Sequence, residues 1–277
     1  GKYSTGVAQY AKLGTDNLYG VPVDGQSMVV LYNKKLLAQY NDGVVPTTRA
    51  ELIDVCKKAK TGGVETPIAW MTENQFFTSY LFPTAVIQNG GHLYGDDLYA
   101  DWYKDTANRT AIKNAISSLR DMIQVEGIAE HAMNESEAIE SFYSGKSLFF
   151  FYVPWKLSDV VTNYCKGRDL TEEEVRADYF GGMSIAGLLA LDSNNANANK
   201  VFGDSHFFAM SRTVTDITKK AAVCEFVKWF TQNTSVGAKW GEAGHFSACT
   251  DVNTSNEYNA NEIVANYIKK FYPDINN

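Results

Sequence analysis

The sequence predicts an α/β fold, and three observations predict it. Residues 136 to 155 run in the order helix, glycine stop, buried strand, loop: Ser136 to Tyr143 has helical spacing, Ser144-Gly145-Lys146 ends it, and the apolar run Leu148 to Tyr152 leads into Pro154-Trp155. Earlier, a helix from Thr48 to about Lys60 is followed by the short apolar segment Thr66 to Trp70. Amphipathic helices at 110–125 and 216–232 complete the alternation, with no internal repeat or low-complexity tract.

In chain order, Tyr19 to Asp24 and Met28 to Tyr32 read as extended, because Pro22 pushes Val21 away from helical angles and the second run is β-rich. Asn33 to Leu37 begins a short helix. The spacing Thr48-x-x-Glu51 is a capping box that starts a helix burying Leu52, Val55, Cys56 and Ala59. Phe76 to Ile87 reads as an apolar helix halted by Asn89-Gly90-Gly91. The next helix turns Ile112, Ala115, Ile116, Leu119 and Ile123 inward. Asp192 to Lys200 is a loop and Phe202 to Met210 a strand-like crossing. The helix Asp216 to Gln232 carries Ala222, Phe226, Trp229 and Phe230 on its apolar face, and Trp240 to Ala248 reads as turn-rich.

With 277 residues, 45% hydrophobic and 21% charged, the chain is long enough for one or two domains. No window approaches the roughly 18 consecutive apolar residues of a spanning helix. A net charge of −7, with lysines and arginines scattered, argues against a nucleic-acid partner. Cys56, Cys165, Cys224 and Cys249 lack the paired spacing of zinc sites or redox dithiols. They permit three full pairings or free thiols, and Cys56 and Cys224 fit helical positions where a small apolar residue would serve. Gly1-Lys2-Tyr3 shows neither a signal peptide nor a lipid-attachment cysteine, so an export signal is expected to be removed or absent.

Four stretches resemble the family 1 extracellular solute-binding proteins, the maltose-binding-protein-like receptors of ABC importers. Tyr19-Gly-Val-Pro-Val-Asp24 with Val30-Leu-Tyr-Asn-Lys34 is similar to the family's hinge strand. Pro46-Thr-Thr with Glu51-Leu52 is similar to its helix start. Phe142-Tyr-Ser-Gly-Lys146 and Pro154-Trp155 follow a third family pattern, with Val153 in place of the usual glycine. The region Gly203 to Val252 follows the fourth. The resemblance implies a type II periplasmic-binding-protein-like fold with one nearly complete lobe and remnants of a second. The expected division is 25–203 for the C-terminal-type lobe, 1–24 and 204–252 for the hinge crossings and N-terminal-type remnant, and 253–277 returning to the first of these. Only residues 1–18 precede the hinge strand, so the resemblance also implies truncation, with apolar surface on the helix Asp216 to Gln232 left seeking cover.

The implied function is the substrate-binding component of an ABC importer, extracellular or periplasmic, partnered by permease subunits and reaching the membrane only through a lipid anchor outside this sequence. The implied cargo is a carbohydrate held between lobes that close by hinge motion; a polyamine, glycerol phosphate or iron, or service as an adhesin or sensor, are the alternatives. Sugars need aromatic rings against their C–H faces and fixed polar groups for their hydroxyls. Trp155 and Phe76 are the candidate stacking rings, with Asn74 beside Phe76; each aromatic also suits core packing. Asp24 and Gln26 end the hinge strand and offer polar contacts, although Asp24 before Gly25 equally suits a turn. Asp204, His206 and His245 complete the candidates, each histidine also suiting a structural or exposed role.

No cofactor is expected. The run Glu172-Glu173-Glu174 would have to supply a glycosidase pair, but Leu170 to Arg176 reads as a solvated helix start. No Gly-x-Ser-x-Gly or His-Glu-x-x-His motif and no phosphate-cradling Gly-x-x-x-x-Gly-Lys-Ser/Thr loop occurs. A binding protein rather than an enzyme is the expectation.

Overall fold

The computed structural model describes residues 2–13, 15–95 and 100–272. Nine strands form among them: β1 (Val21–Pro22), β2 (Asp24–Ser27), β3 (Val29–Asn33), β4 (Ile68–Trp70), β5 (Phe149–Tyr152), β6 (Phe180–Met183), β7 (Gly203–Asp204), β8 (Phe207–Phe208) and β9 (Phe246–Ser247). They belong to two compact units, one holding the chain up to Gln26 and from Gly203 onward, the other Ser27–Phe202.

The 27–202 unit is built on a mixed sheet of order β4-β5-β3-β6, with β4 parallel to β5 and the other pairs antiparallel. Val30 lies opposite Phe151 on one side and Met183 on the other. All four residues of β5 are fully buried, so both faces of the sheet are covered and its central strand is continuously apolar instead of alternating. Phe142 brings its helix, Glu135–Tyr143, onto this sheet with its ring 5.5 Å from Phe150 and 4.8 Å from Phe180. Aromatic rings at these separations add attraction beyond the burial of their area.

Polar side chains order the segment after β6. Gln88 donates to the Ile185 carbonyl (3.0 Å) and accepts from Leu189 N–H (2.8 Å). Asn89 donates to the Leu189 carbonyl and accepts from Leu191 N–H. Two buried amides thus satisfy backbone groups that no strand partner serves.

The helix Arg49–Thr61 starts with the expected capping box and buries the four expected residues. Glu51 accepts from the Thr47 N–H, the Thr47 hydroxyl and the Thr48 N–H. These bonds, Thr47's first, hold its carboxyl below the usual range. A depressed folded pKa stabilises above the unfolded value and is lost as pH falls through the folded one. Urea unfolding at pH 7 and pH 3 is therefore expected to show an acid-sensitive part of about 0.5 kcal/mol, screened by solvent, that Glu51→Gln lacks.

The helix Thr106–Gln124 starts four residues before the expected 110 and is capped by Asp105, whose side chain accepts the Asn108 N–H. Its buried face comprises Asn108, Ala111, Ala115, Ser118, Leu119 and Met122, and Ile116 is exposed, a rotation from the expected stripe. The 76–88 segment opens with a wide turn in which Phe82 N–H bonds the Phe77 carbonyl, followed by the helix Phe82–Gln88. Pro83 accounts for this: it lacks an N–H and its ring crowds the carbonyl four residues back, which loosens the preceding turn.

The other unit pairs β1 with β8 and arranges β7-β2-β9 around the antiparallel pair Asp24↔Ser247. The expected continuous crossing at 202–210 is two short strands, β7 and β8. The expected turn-rich segment at 240–248 starts inside a helix, Thr234–Glu242, capped by Asn233. Gly237 and Gly241, one turn apart, are the reason: a Cβ on Gly237 would strike Val252, and one on Gly241 would strike Val264. These glycines let neighbouring side chains approach the helix backbone, and in a sequence they read as breakers.

Residues 253–272 do not return to the 25–203 lobe as expected. They cluster with the unit containing β2 and β9, where Tyr258 is buried and its hydroxyl accepts the Ser247 N–H. The last residues, 273–277, lie outside the described residues. The helix Ile217–Gln232 buries only Val227 and Thr231 and exposes Ile217, Phe226 and Trp229. Cys56 is buried as expected, but Cys224 is exposed on that helix; all four cysteines are free thiols. Ser27 and Phe202, the two ends of the 27–202 unit, are joined by a hydrogen bond from the Ser27 hydroxyl to the Phe202 carbonyl (2.6 Å).

Candidate functional site

Each unit gathers its own set of candidate residues. In the 27–202 unit the wide turn before Pro83 presents Phe76 and Tyr80, and the turn after β5 presents Trp155. The Phe76 ring meets Trp155 edge-to-face at 5.6 Å, Tyr80 lies 6.1 Å from Trp155, and Phe202 lies 6.2 Å from Tyr80. Phe76 and Trp155 are half-buried, so part of each ring faces solvent.

Polar groups flank this shelf. Asn74 accepts the Phe76 N–H (3.0 Å) and donates to Glu135 (3.4 Å), and Tyr152 donates its hydroxyl to the same carboxylate (3.1 Å). Lys156 lies 3.9 Å from Glu135 and bonds Asp159 (2.9 Å). The Asp159 bond raises the Lys156 pKa, and burial with the nearby Glu135 charge pushes the Tyr152 hydroxyl upward. The shelf is thus bordered by Lys156, Glu135, Asp159 and the Tyr152 hydroxyl.

In the other unit, Asp24 of β2 is fully buried with several nitrogens directed at it. The His206 N–H donates to Oδ1 (2.9 Å) and the Trp240 indole N–H donates to Oδ2 (2.9 Å). His206 Nδ1 lies 3.0 Å from Oδ2, and His245 Nδ1 lies 3.1 Å from it. The Trp240 ring stacks on His245 at 4.4 Å and 15°. Burial alone raises the Asp24 pKa, but the bonds from His245 and His206 outweigh it, and the net shift is downward.

The structure brings Asp24, His206 and His245 together, and separately Asn74, Phe76 and Trp155. Gln26 is buried on β2, and Asp204 is half-buried on the adjoining β7. Sequence reasoning missed Trp240, Tyr80, Glu135, Tyr152 and Lys156. Lys156 directly follows the Pro154-Trp155 pair and was open to recognition; Trp240 was hidden by the glycines around it. Glu172 to Glu174 form one exposed helical turn capped by Thr171. A surface depression lined by Arg49, Asp54 and Leu191 shares no residue with either set. No helix among the described residues is long and apolar enough to cross a membrane.

A family model described as bacterial extracellular solute-binding protein matches residues 1–236. No curated protein sequence matches the chain. Among solved structures, maltose-bound MalE3 of T. maritima is 15% identical with a TM-score of 0.66, over 94% of this chain and 62% of that one. The sugar-binding protein MalE of Xanthomonas citri is 17% identical with a TM-score of 0.68, over 95% and 61%. The GacH receptor of Streptomyces glaucescens, solved unliganded and with acarbose, is 19% identical with a TM-score of 0.66, over 99% and 63%. The chain therefore has the fold of these proteins and spans less than two thirds of the length of each.

Proposed function

We propose a function from one premise: the chain belongs to the bacterial extracellular solute-binding proteins. It acts as the substrate-binding component of an ABC importer, delivers its cargo to membrane permease subunits, and takes a carbohydrate as that cargo. The observation that carries the carbohydrate reading is the half-buried Phe76–Trp155 pair bordered by Asn74, Glu135 and Lys156. Pyranose C–H faces stack on such rings, and their hydroxyls pair with amide, carboxylate and ammonium groups held in fixed positions. Maltose and acarbose, bound by proteins of the same fold, support a sugar over other small solutes.

The test is calorimetric titration with maltose, longer maltodextrins, monosaccharides, amino acids and polyamines. Saturable binding of one sugar class without turnover is expected. Trp155→Ala should weaken it by about 1–3 kcal/mol, roughly fivefold to more than a hundredfold, with little change in the far-ultraviolet circular dichroism. Binding of a polyamine alone, or sugar binding that Trp155→Ala leaves intact, would remove the assignment.

A further inference from the structure

We propose that Asp24, His206 and His245 form a binding site for a divalent transition-metal ion of the zinc class. The proposal concerns one unit alone and is independent of the carbohydrate reading. Asp24, His206 and His245 each offer one ligand atom within 4.8 Å of the other two, and Asp24 Oδ2 lies 3.0 Å from His206 Nδ1 and 3.1 Å from His245 Nδ1. Ligands about 2.0–2.2 Å from a tetrahedral ion stand roughly 3.3 Å apart, so small ring rotations bring these three atoms onto a common centre.

The convergence on Oδ2 is the second argument. That single oxygen already accepts the Trp240 indole N–H, and both imidazole Nδ1 atoms face it as well. One donor and two imidazole nitrogens thus crowd an oxygen with two lone pairs. A cation reverses the imidazole roles: each Nδ1 gives its lone pair to the ion, the carboxylate supplies negative charge, and the crowding is relieved. Two imidazoles and one carboxylate are the donor set that zinc and its neighbours prefer over calcium or magnesium.

The surroundings are those of a supported site. Trp240 fixes Oδ2 by hydrogen bond and His245 by stacking, and the His206 N–H fixes Oδ1. The His206 side chain is 57% exposed, which leaves an entry path and an open coordination position. Three protein ligands with a solvent-facing fourth position suit an exchangeable ion or one that also holds a ligand.

The experiment is isothermal titration of the chain with Zn²⁺ in a Cys224→Ser background, which removes the exposed thiol. Co²⁺ absorption is recorded in parallel, because thiolate ligation gives intense charge-transfer bands and nitrogen–oxygen ligation does not. One Zn²⁺ per chain is expected, with a Co²⁺ spectrum free of thiolate bands. His206→Gln should lower the Zn²⁺ affinity by at least about tenfold. The His206 backbone N–H, which donates to Asp24 Oδ1, is kept in this variant, and a far-ultraviolet circular dichroism spectrum matching the parent is the control for its folding. His92→Gln, in the other unit, should leave Zn²⁺ binding unchanged. Absence of saturable Zn²⁺ binding, thiolate bands in the Co²⁺ spectrum, or equal affinity in His206→Gln would overturn the site.

Discussion

Asp24→Ala is expected to lower the unfolding free energy of the metal-free protein by about 3–5 kcal/mol, measured by urea denaturation. The carboxylate is fully buried and accepts from the His206 backbone and the Trp240 indole, with two imidazoles beside it. Removing it leaves those donors facing a cavity that is polar on several sides, and each unsatisfied buried donor costs about 1–3 kcal/mol. Asp24→Asn should recover only part of the loss. Its amide keeps one acceptor oxygen but turns an N–H₂ group toward nitrogens that are already donors. A loss below about 1 kcal/mol for Asp24→Ala would mean that the network does not hold β2 in place.

Phe150→Ala is expected to cost about 3–5 kcal/mol through a different mechanism. Phe150 is fully buried in β5, 5.5 Å from Phe142 and stacked on Tyr152 at 4.2 Å. Strands on both sides and a helix above restrict collapse into the space left behind, so the cavity term adds to the lost burial. Phe150→Leu should lose less, since it keeps more of the volume. The change should appear in the unfolding midpoint, with the denaturant slope unchanged. A cost near 1 kcal/mol would mean that the core around β5 relaxes freely.

Elements whose signals are local were legible in the sequence. The capping box at Thr48–Glu51 and the apolar run of β5 each combine periodicity with a nearby stop signal. The Thr234–Glu242 helix was not, because Gly237 and Gly241 serve tertiary packing on Val252 and Val264 and locally resemble a turn. Cys224 and Ile116 were assigned inward from periodicity, yet the exposed side of a helix depends on what packs against it. The candidate site was legible as single residues but not as groups. Asp24, His206 and His245 lie far apart in sequence and meet only through the β7-β2-β9 order, which no local pattern encodes. The Phe76–Trp155 pair likewise depends on the wide turn that Pro83 imposes.

The hydrogen bond between Ser27 and Phe202 closes the 27–202 unit where it begins, so this unit is one unbroken stretch inserted into the other. During synthesis on the ribosome its core can assemble as soon as residue 202 has emerged. β2 must wait, because its partner strand β9 is made more than 200 residues later. Until then Asp24 lacks the His206, Trp240 and His245 groups that make its burial tolerable. The order of translation therefore gives the early segment to solvent or to chaperones, and leaves the half-made protein with one finished unit and one unmatched strand.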